Sequence, residues 1–468
     1  MMSRSGLVKL CLFIIGMGIL LNFIVPPFQN PDEPNHFGAV MIYARGEEQK
    51  PAVEKEIIRF MDQNNWWKYL GMGRPAVLPA SLSDIPFLMG NNPAKDFRVR
   101  LNNIVLYHFL LGKGIGLLGL WDVIPAYYFC RLVSFLFCAG AIFLSVLAFQ
   151  KLSERHSRLF LWGIFFILFL PQFLLGMVAV NADAMAVFLG ALFFYAVISL
   201  IMGEMRRVYF AAIILSGVLG FLTDRSTFIL IPLGIIILFF LIRKENYQEY
   251  IVSVLAFFIV FFTLASILIN LFPLQAESSL TLFGTNFGNI GKAVPQLFSF
   301  GKFSRDFFVS SMDGFFFKFG WACFGAAGVF YFFWRVLIIF SVIGVGITLT
   351  KFIKSRLEKR KHRFTSGFNA RLLFFFLLAV LFQLTAVWTY YGSHKILGQG
   401  RYFFPLLLPI ASLFVMGTKC FFDHFKPRDG RIALAVFILF EFFFLNYVIW
   451  QYMIPAFHMT IKSANLGI

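Results

Sequence analysis

The sequence predicts an all-α protein that crosses a membrane about eleven times. Three observations carry this. Apolar residues make up 59% of the 468 residues and charged residues only 14%, too little charge for a soluble surface of that size. Apolar runs of about 18 residues or more recur along the chain, each long enough to cross a bilayer as a helix. The Lys and Arg excess, a formal +18, falls mainly in short loops between those runs, where it sets topology. The same distribution excludes a nucleic-acid partner, whose footprint is a basic face.

Residues 7–25 form the first span and, with no small-residue cleavage site after them, read as an uncleaved signal anchor. The further spans are 125–149, 158–180, 183–202, 208–222, 227–242, 250–272, 327–350, 371–389, 403–420 and 431–452. The loops KLSERHSR, GEMRR, TKFIKSRLEKRKHRFTSGFNAR and KCFFDHFKPRDGR each hold more Lys and Arg than Asp and Glu, while RKENYQEY is balanced. Cytoplasmic loops carry such an excess, so the N-terminus is expected inside and the C-terminus outside.

The whole of 1–468 is expected as one integral membrane domain with two long outer segments. The first, 26–124, is read as interfacial helices, with GKGIG inside it a packing or turn element. The second, 273–326, is read as amphipathic helices on the membrane surface. The five cysteines show neither pairing nor metal spacing.

On this topology four outer turns collect acids and cations. PPFQNPDEPNHF follows the first span and holds Asp32, Glu33 and His36. Asn181 and Asp183 open the fourth span, Asp224 and Arg225 link the fifth and sixth, and SHKILGQGRYFFP carries Lys395, Arg401 and Tyr402. Each has a plainer structural reading: Asp32, Glu33 and Asp183 as helix caps, Asp224 with Arg225 as an ion pair, Arg401 and Tyr402 as interfacial anchors. Together they place a carboxylate base and phosphate-binding cations where a lipid headgroup lies, the equipment for transfer from a lipid phosphate to a hydroxyl. Asp32, Glu33 and His36 are also the candidates for a metal, Mg2+ or Mn2+. Inside the apolar runs, Glu441 is a functional candidate or a hydrogen-bonding group to a neighbouring helix, and Arg131 either reaches the interface or pairs with an acid.

The order of these motifs resembles the GT-C superfamily of membrane glycosyltransferases, most closely an uncharacterised bacterial branch with a Pro-Asp-Glu-x-x-His element after the first span. Here that element is Pro31, Asp32, Glu33 and His36, with an Asn-x-Asp turn at Asn181 to Asp183 and Gly-Arg-Tyr-x-x-Pro at Gly400 to Pro405. The resemblance implies an inverting enzyme that takes sugar from a polyprenyl-phosphate donor to a glycan, lipid or protein hydroxyl, on the outer face of a bacterial cytoplasmic membrane. It gives Asp32 the role of base or metal ligand, with Glu33 beside it. A lipid-linked saccharide transporter or flippase, and a polysaccharide polymerase or ligase, are the alternatives.

Overall fold

The fold is known from a computed structural model that describes residues 4–30, 32–69, 74–85, 106–155, 162–241, 302–319, 324–325, 328–357, 370–394, 399–425, 429–450 and 454. In chain order the helices are α1 (Arg4–Ile24), α2 (Glu33–Arg45), α3 (Lys50–Gln63), α4 (Trp66–Tyr69), α5 (Leu106–Leu118), α6 (Val123–Arg155), α7 (Trp162–Leu168), α8 (Pro171–Gly176), α9 (Asp183–Ile201), α10 (Arg207–Thr223) and α11 (Leu230–Leu241). They continue with α12 (Lys302–Phe316), α13 (Gly328–Leu357), α14 (Ala370–His394), α15 (Leu407–Phe425) and α16 (Asp429–Val448). A 3-10 segment, Gly400–Leu406, leads into α15. The only strands among the described residues are a two-residue antiparallel pair, Lys318–Phe319 with Phe324–Gly325.

Among the described residues, six helical stretches are long and apolar enough to cross a membrane: Val123–Ser153, Asp183–Ile201, Gly328–Lys354, Arg371–Trp388, Gly400–Phe425 and Arg431–Val448. Leu12–Ile24 and Arg207–Thr223 are shorter apolar helices at expected spans. The span expected over 250–272 lies outside the described residues. The expected span 158–180 is not continuous. It breaks between α7 and α8 because Pro171 has no N–H to donate and takes the first position of a new helix.

Two apolar cores result. The larger is the helix bundle, where α9 packs on α6 and α10, and α15 packs on α13 and α16. The smaller gathers Phe28, Phe37, Met41, Ile57, Trp66, Tyr107 and Tyr127 with Val180, Met185 and Val218 from the bundle. The described part of 26–124 is therefore a helical layer packed on the bundle. Gly112 explains how α5 lies so close to α2: a Cβ there would sit 2.8 Å from the Val40 carbonyl oxygen. GKGIG is thus a packing element. The expected surface helices of 273–326 also change in part. The end of α12 is buried in the bundle core through Phe315 and Phe316, and 273–301 lies outside the described residues.

Two of the expected loops meet. Lys151 of KLSERHSR reaches both carboxylate oxygens of Glu204, from GEMRR, at 2.6 Å, and Tyr209 donates to Glu204 at 2.8 Å. These two segments share one end of the bundle. Asp183 begins α9 at the other end, about 28 Å away for a helix of its length.

Two tests follow from this layer. Gly112→Val should cost about 1–3 kcal/mol by forcing α2 and α5 apart, seen as a lower Tm in detergent. Glu54 of α3 is buried, which raises its carboxyl above the ordinary 4.5 despite Lys50 and the Leu82 amide. The folded protein therefore holds that proton more tightly than the unfolded chain. Its contribution is present below pH 4.5 and is lost as pH rises through the raised value. Glu54→Gln should flatten the fall in Tm over that window, and an unchanged pH profile would refute the assignment.

Candidate functional site

The segment after α1 is held by buried polar contacts before it reaches Asp32. Glu33, the first residue of α2, is fully buried. Its Oε1 accepts hydrogen bonds from the Tyr127 hydroxyl at 2.8 Å and the Val180 amide at 3.0 Å, and its Oε2 from the Asn30 amide at 3.3 Å. The Arg131 guanidinium, also fully buried, lies 3.5 Å from Oε1. Arg131 donates as well to the carbonyls of Val25 and Pro26 at 2.8 and 2.9 Å, and stacks over the Tyr127 ring. Tyr127 in turn accepts the Phe28 amide at 3.0 Å, and Trp66 donates to the Phe28 carbonyl at 2.9 Å. Three parts of the chain meet at this knot: the turn after α1, helix α6, and the approach to α9.

Glu33 was expected beside Asp32 as a catalytic acid. The structure places it elsewhere: enclosed, with both oxygens committed, it anchors the turn. Arg131 takes the second of its two expected readings and pairs with an acid.

Asp32 sits on the other side of that anchor. Its backbone is left-handed, with φ 65 and ψ −1, and Phe28 is also at φ 64. Such conformations are uncommon outside glycine and persist where surrounding contacts over-determine them. Although Asp32 stands at the N-cap of α2, its side chain makes no capping hydrogen bond. It accepts instead from Arg401 Nη2 at 3.0 Å. The Nε of the same guanidinium is 3.5 Å from Asp183 Oδ2. Side-chain exposures of 22%, 19% and 12% for Asp32, Asp183 and Arg401 leave the carboxylates reachable while the cation is mostly covered.

Asn181 and Asp183 divide their work. The Asn181 side-chain oxygen accepts the Asp183 amide at 3.0 Å, an Asx turn that leads into α9. Its amide nitrogen donates to Asp183 Oδ2 at 3.0 Å and steers that carboxylate. Asp224 is near enough for its field to reach Asp183, and its Oδ1 accepts the Ser226 amide at 2.7 Å. The Arg225–Thr227 turn packs against both α9 and the Gly400–Leu406 segment. That segment carries Arg401 because Gly400 lets it lie on the backbone of Gly314 and Phe315; a Cβ at Gly400 would overlap both. The Arg401 guanidinium stacks over Tyr402, whose carbonyl accepts from Gln383.

The four turns expected on one face thus converge. Asp32, Asn181, Asp183 and Arg401 join directly, and the Arg225 turn joins through its backbone. The Arg225 side chain and the whole of Lys395 lie outside the described residues. His36 goes to a partner that the sequence reading passed over: its Nδ1 is 2.8 Å from His108 Nε2 across the α2–α5 contact. His108 interrupts the apolar run of α5.

Among the described residues no group of three or more His, Cys, Asp or Glu side chains is arranged to hold a metal ion. Glu33 is committed to the knot, and Asp32 to Arg401. The residues proposed for Mg2+ or Mn2+ therefore do not fit such an ion as placed. What they do form is a partly exposed carboxylate oriented by a guanidinium, a geometry able to accept a proton from a bound hydroxyl.

A family model described as predicted membrane protein (DUF2142) matches residues 13–410. The chain belongs to this family. The match takes in the whole of the Asp32, Asp183 and Arg401 cluster. No curated protein and no solved structure matches the chain. A membrane-protein family agrees with the six long apolar helices.

Breaking one partner of a buried ion pair strands the other, at about 3–5 kcal/mol. Arg131→Met and Glu33→Gln should therefore each lower Tm sharply in detergent. The Glu33→Gln/Arg131→Met double variant should lose less than the two singles summed, because the two residues act on one interaction. Additive losses would show the pair to be uncoupled.

Proposed function

We propose that this protein is an integral membrane glycosyltransferase that moves a sugar from a polyprenyl-phosphate donor to a hydroxyl of a glycan, lipid or protein acceptor. The cluster would face the outside of the cytoplasmic membrane. The observation that supports the reading most is the Asp32 carboxylate, reachable from outside, held at 3.0 Å by Arg401 and fixed on a left-handed backbone. A positioned carboxylate is what removal of an acceptor proton needs.

The step runs as one displacement. The acceptor O–H gives its proton to Asp32 as its oxygen bonds to the anomeric carbon. The bond from that carbon to the phosphate oxygen breaks, its electron pair leaves with the lipid phosphate, and the anomeric centre inverts. Arg401 positions the base, and Asp183 holds the far side of the guanidinium. Contacts to the donor phosphate are assigned to Arg225, Lys395 and Tyr402.

Transport of a lipid-linked saccharide is the second reading. Two observations favour it. The helix break at Leu168–Pro171 is of a kind that lines transport paths. Glu441 is buried within α16 and accepts from the Trp334 indole. A polymerase or ligase would share the outer cluster and differ in using a diphosphate-linked donor.

Rescue of a deletion strain separates these. At equal expression and insertion, Asp32→Asn should cut addition of one surface sugar by about 10²-fold or more, while Glu441→Gln retains it. Full rescue by Asp32→Asn, with loss in Glu441→Gln, would put transport first.

A further inference from the structure

Two side chains next to Asp32 have no role in the knot or the ion cluster. Gln29 is 1% exposed and Asn30 8% exposed. Both polar atoms of the Gln29 amide, and the Asn30 amide nitrogen, lack a hydrogen-bond partner among the described residues. Buried polar atoms are almost always hydrogen-bonded, and each exception calls for a physical explanation.

Their backbone is fixed on every side. The Phe28 amide and carbonyl are held by Tyr127 and Trp66. The Asn30 amide donates to Glu33, and its carbonyl accepts the Glu33 amide at 3.2 Å. Left-handed residues at Phe28 and Asp32 bracket the pair. The backbone cannot shift without breaking these bonds, which sets the two amides two and three residues from the proposed base.

Their chemistry selects a ligand class. Gln29 offers an acceptor and a donor together, and Asn30 a further donor. Phosphate oxygens would suit the donors and repel the Gln29 oxygen. A cation would suit only that oxygen. A hydroxyl both donates and accepts, so neighbouring hydroxyls on a ring satisfy all three atoms.

We propose that Gln29 and Asn30 form the subsite that recognises the hydroxyls of the sugar, beside Asp32. This rests on the transferase reading and adds to it the residues that choose the sugar.

The test uses the full chain in detergent, titrated with short-chain polyprenyl-phosphate hexoses differing in hydroxyl configuration, and with sugar-free polyprenyl phosphate. Wild type should bind at least one glycosylated lipid tenfold or more tighter than the sugar-free lipid. Gln29→Met and Asn30→Leu should each erase that margin, keep the affinity for the sugar-free lipid, and melt at or above wild type. If Gln29→Met does not fold, Gln29→Asn, which keeps an amide with shorter reach, reads the same margin. Retention of the margin in these variants overturns the subsite. So does the absence of any margin in wild type. A lower Tm with the margin intact would show that the amides hold a structural water only. The rescue assay keeps the two readings apart. Full rescue by Gln29→Met with none by Asp32→Asn removes the subsite and leaves the transferase, whereas rescue by Asp32→Asn removes the transferase.

Discussion

The buried pair of Glu33 and Arg131 is the constraint on which the remaining architecture depends. Two charges withdrawn from water are tolerated when hydrogen bonds and mutual attraction replace the lost hydration. Here Tyr127, Val180, Asn30, Val25 and Pro26 fill all the positions but the Arg131 Nε, which lies 3.5 Å from Glu33, and those residues belong to three separate parts of the chain. Each part is thereby tied to the others at one point. The unfavourable backbone of Phe28 and Asp32 survives because these contacts leave it no alternative.

The cluster of Asp32, Asp183 and Arg401 is a consequence of that fixed point. Asp32 and Arg401 are 369 residues apart in sequence, yet only two supports are needed to bring them to 3.0 Å. One is the knot, which aims the Asp32 side chain away from Glu33. The other is the bare backbone of Gly400 against α12, which seats the guanidinium. Adjacent acids with the same chemistry are thus separated by a single peptide into a buried anchor and a partly exposed carboxylate.

Much of this was legible in the sequence because it follows from period and charge. Long apolar runs gave the helices, and the polar residues at their ends marked the four turns that meet. What was not legible is what depends on contact across the fold. Asp32 and Glu33 look equivalent in PDEPNH, and only burial distinguishes them. His108 reads as an interruption in an apolar stretch until α5 lies on α2 and brings it to His36. Pro171 was visible, but hydropathy averaged over a window carries no record of one missing N–H, so a single span was expected where two short helices stand.

The anchoring pair also bears on how the protein is made. Tyr127 and Glu33 are 94 residues apart, and Arg131 follows one helical turn later, inside a membrane-crossing helix. During synthesis Glu33 emerges well before its partner exists. A lone arginine at that depth in lipid is costly, so α6 has reason to seek the earlier segment as soon as it enters the bilayer. Charge complementarity here sets an order of assembly: the N-terminal turn waits, and the arrival of Arg131 closes it.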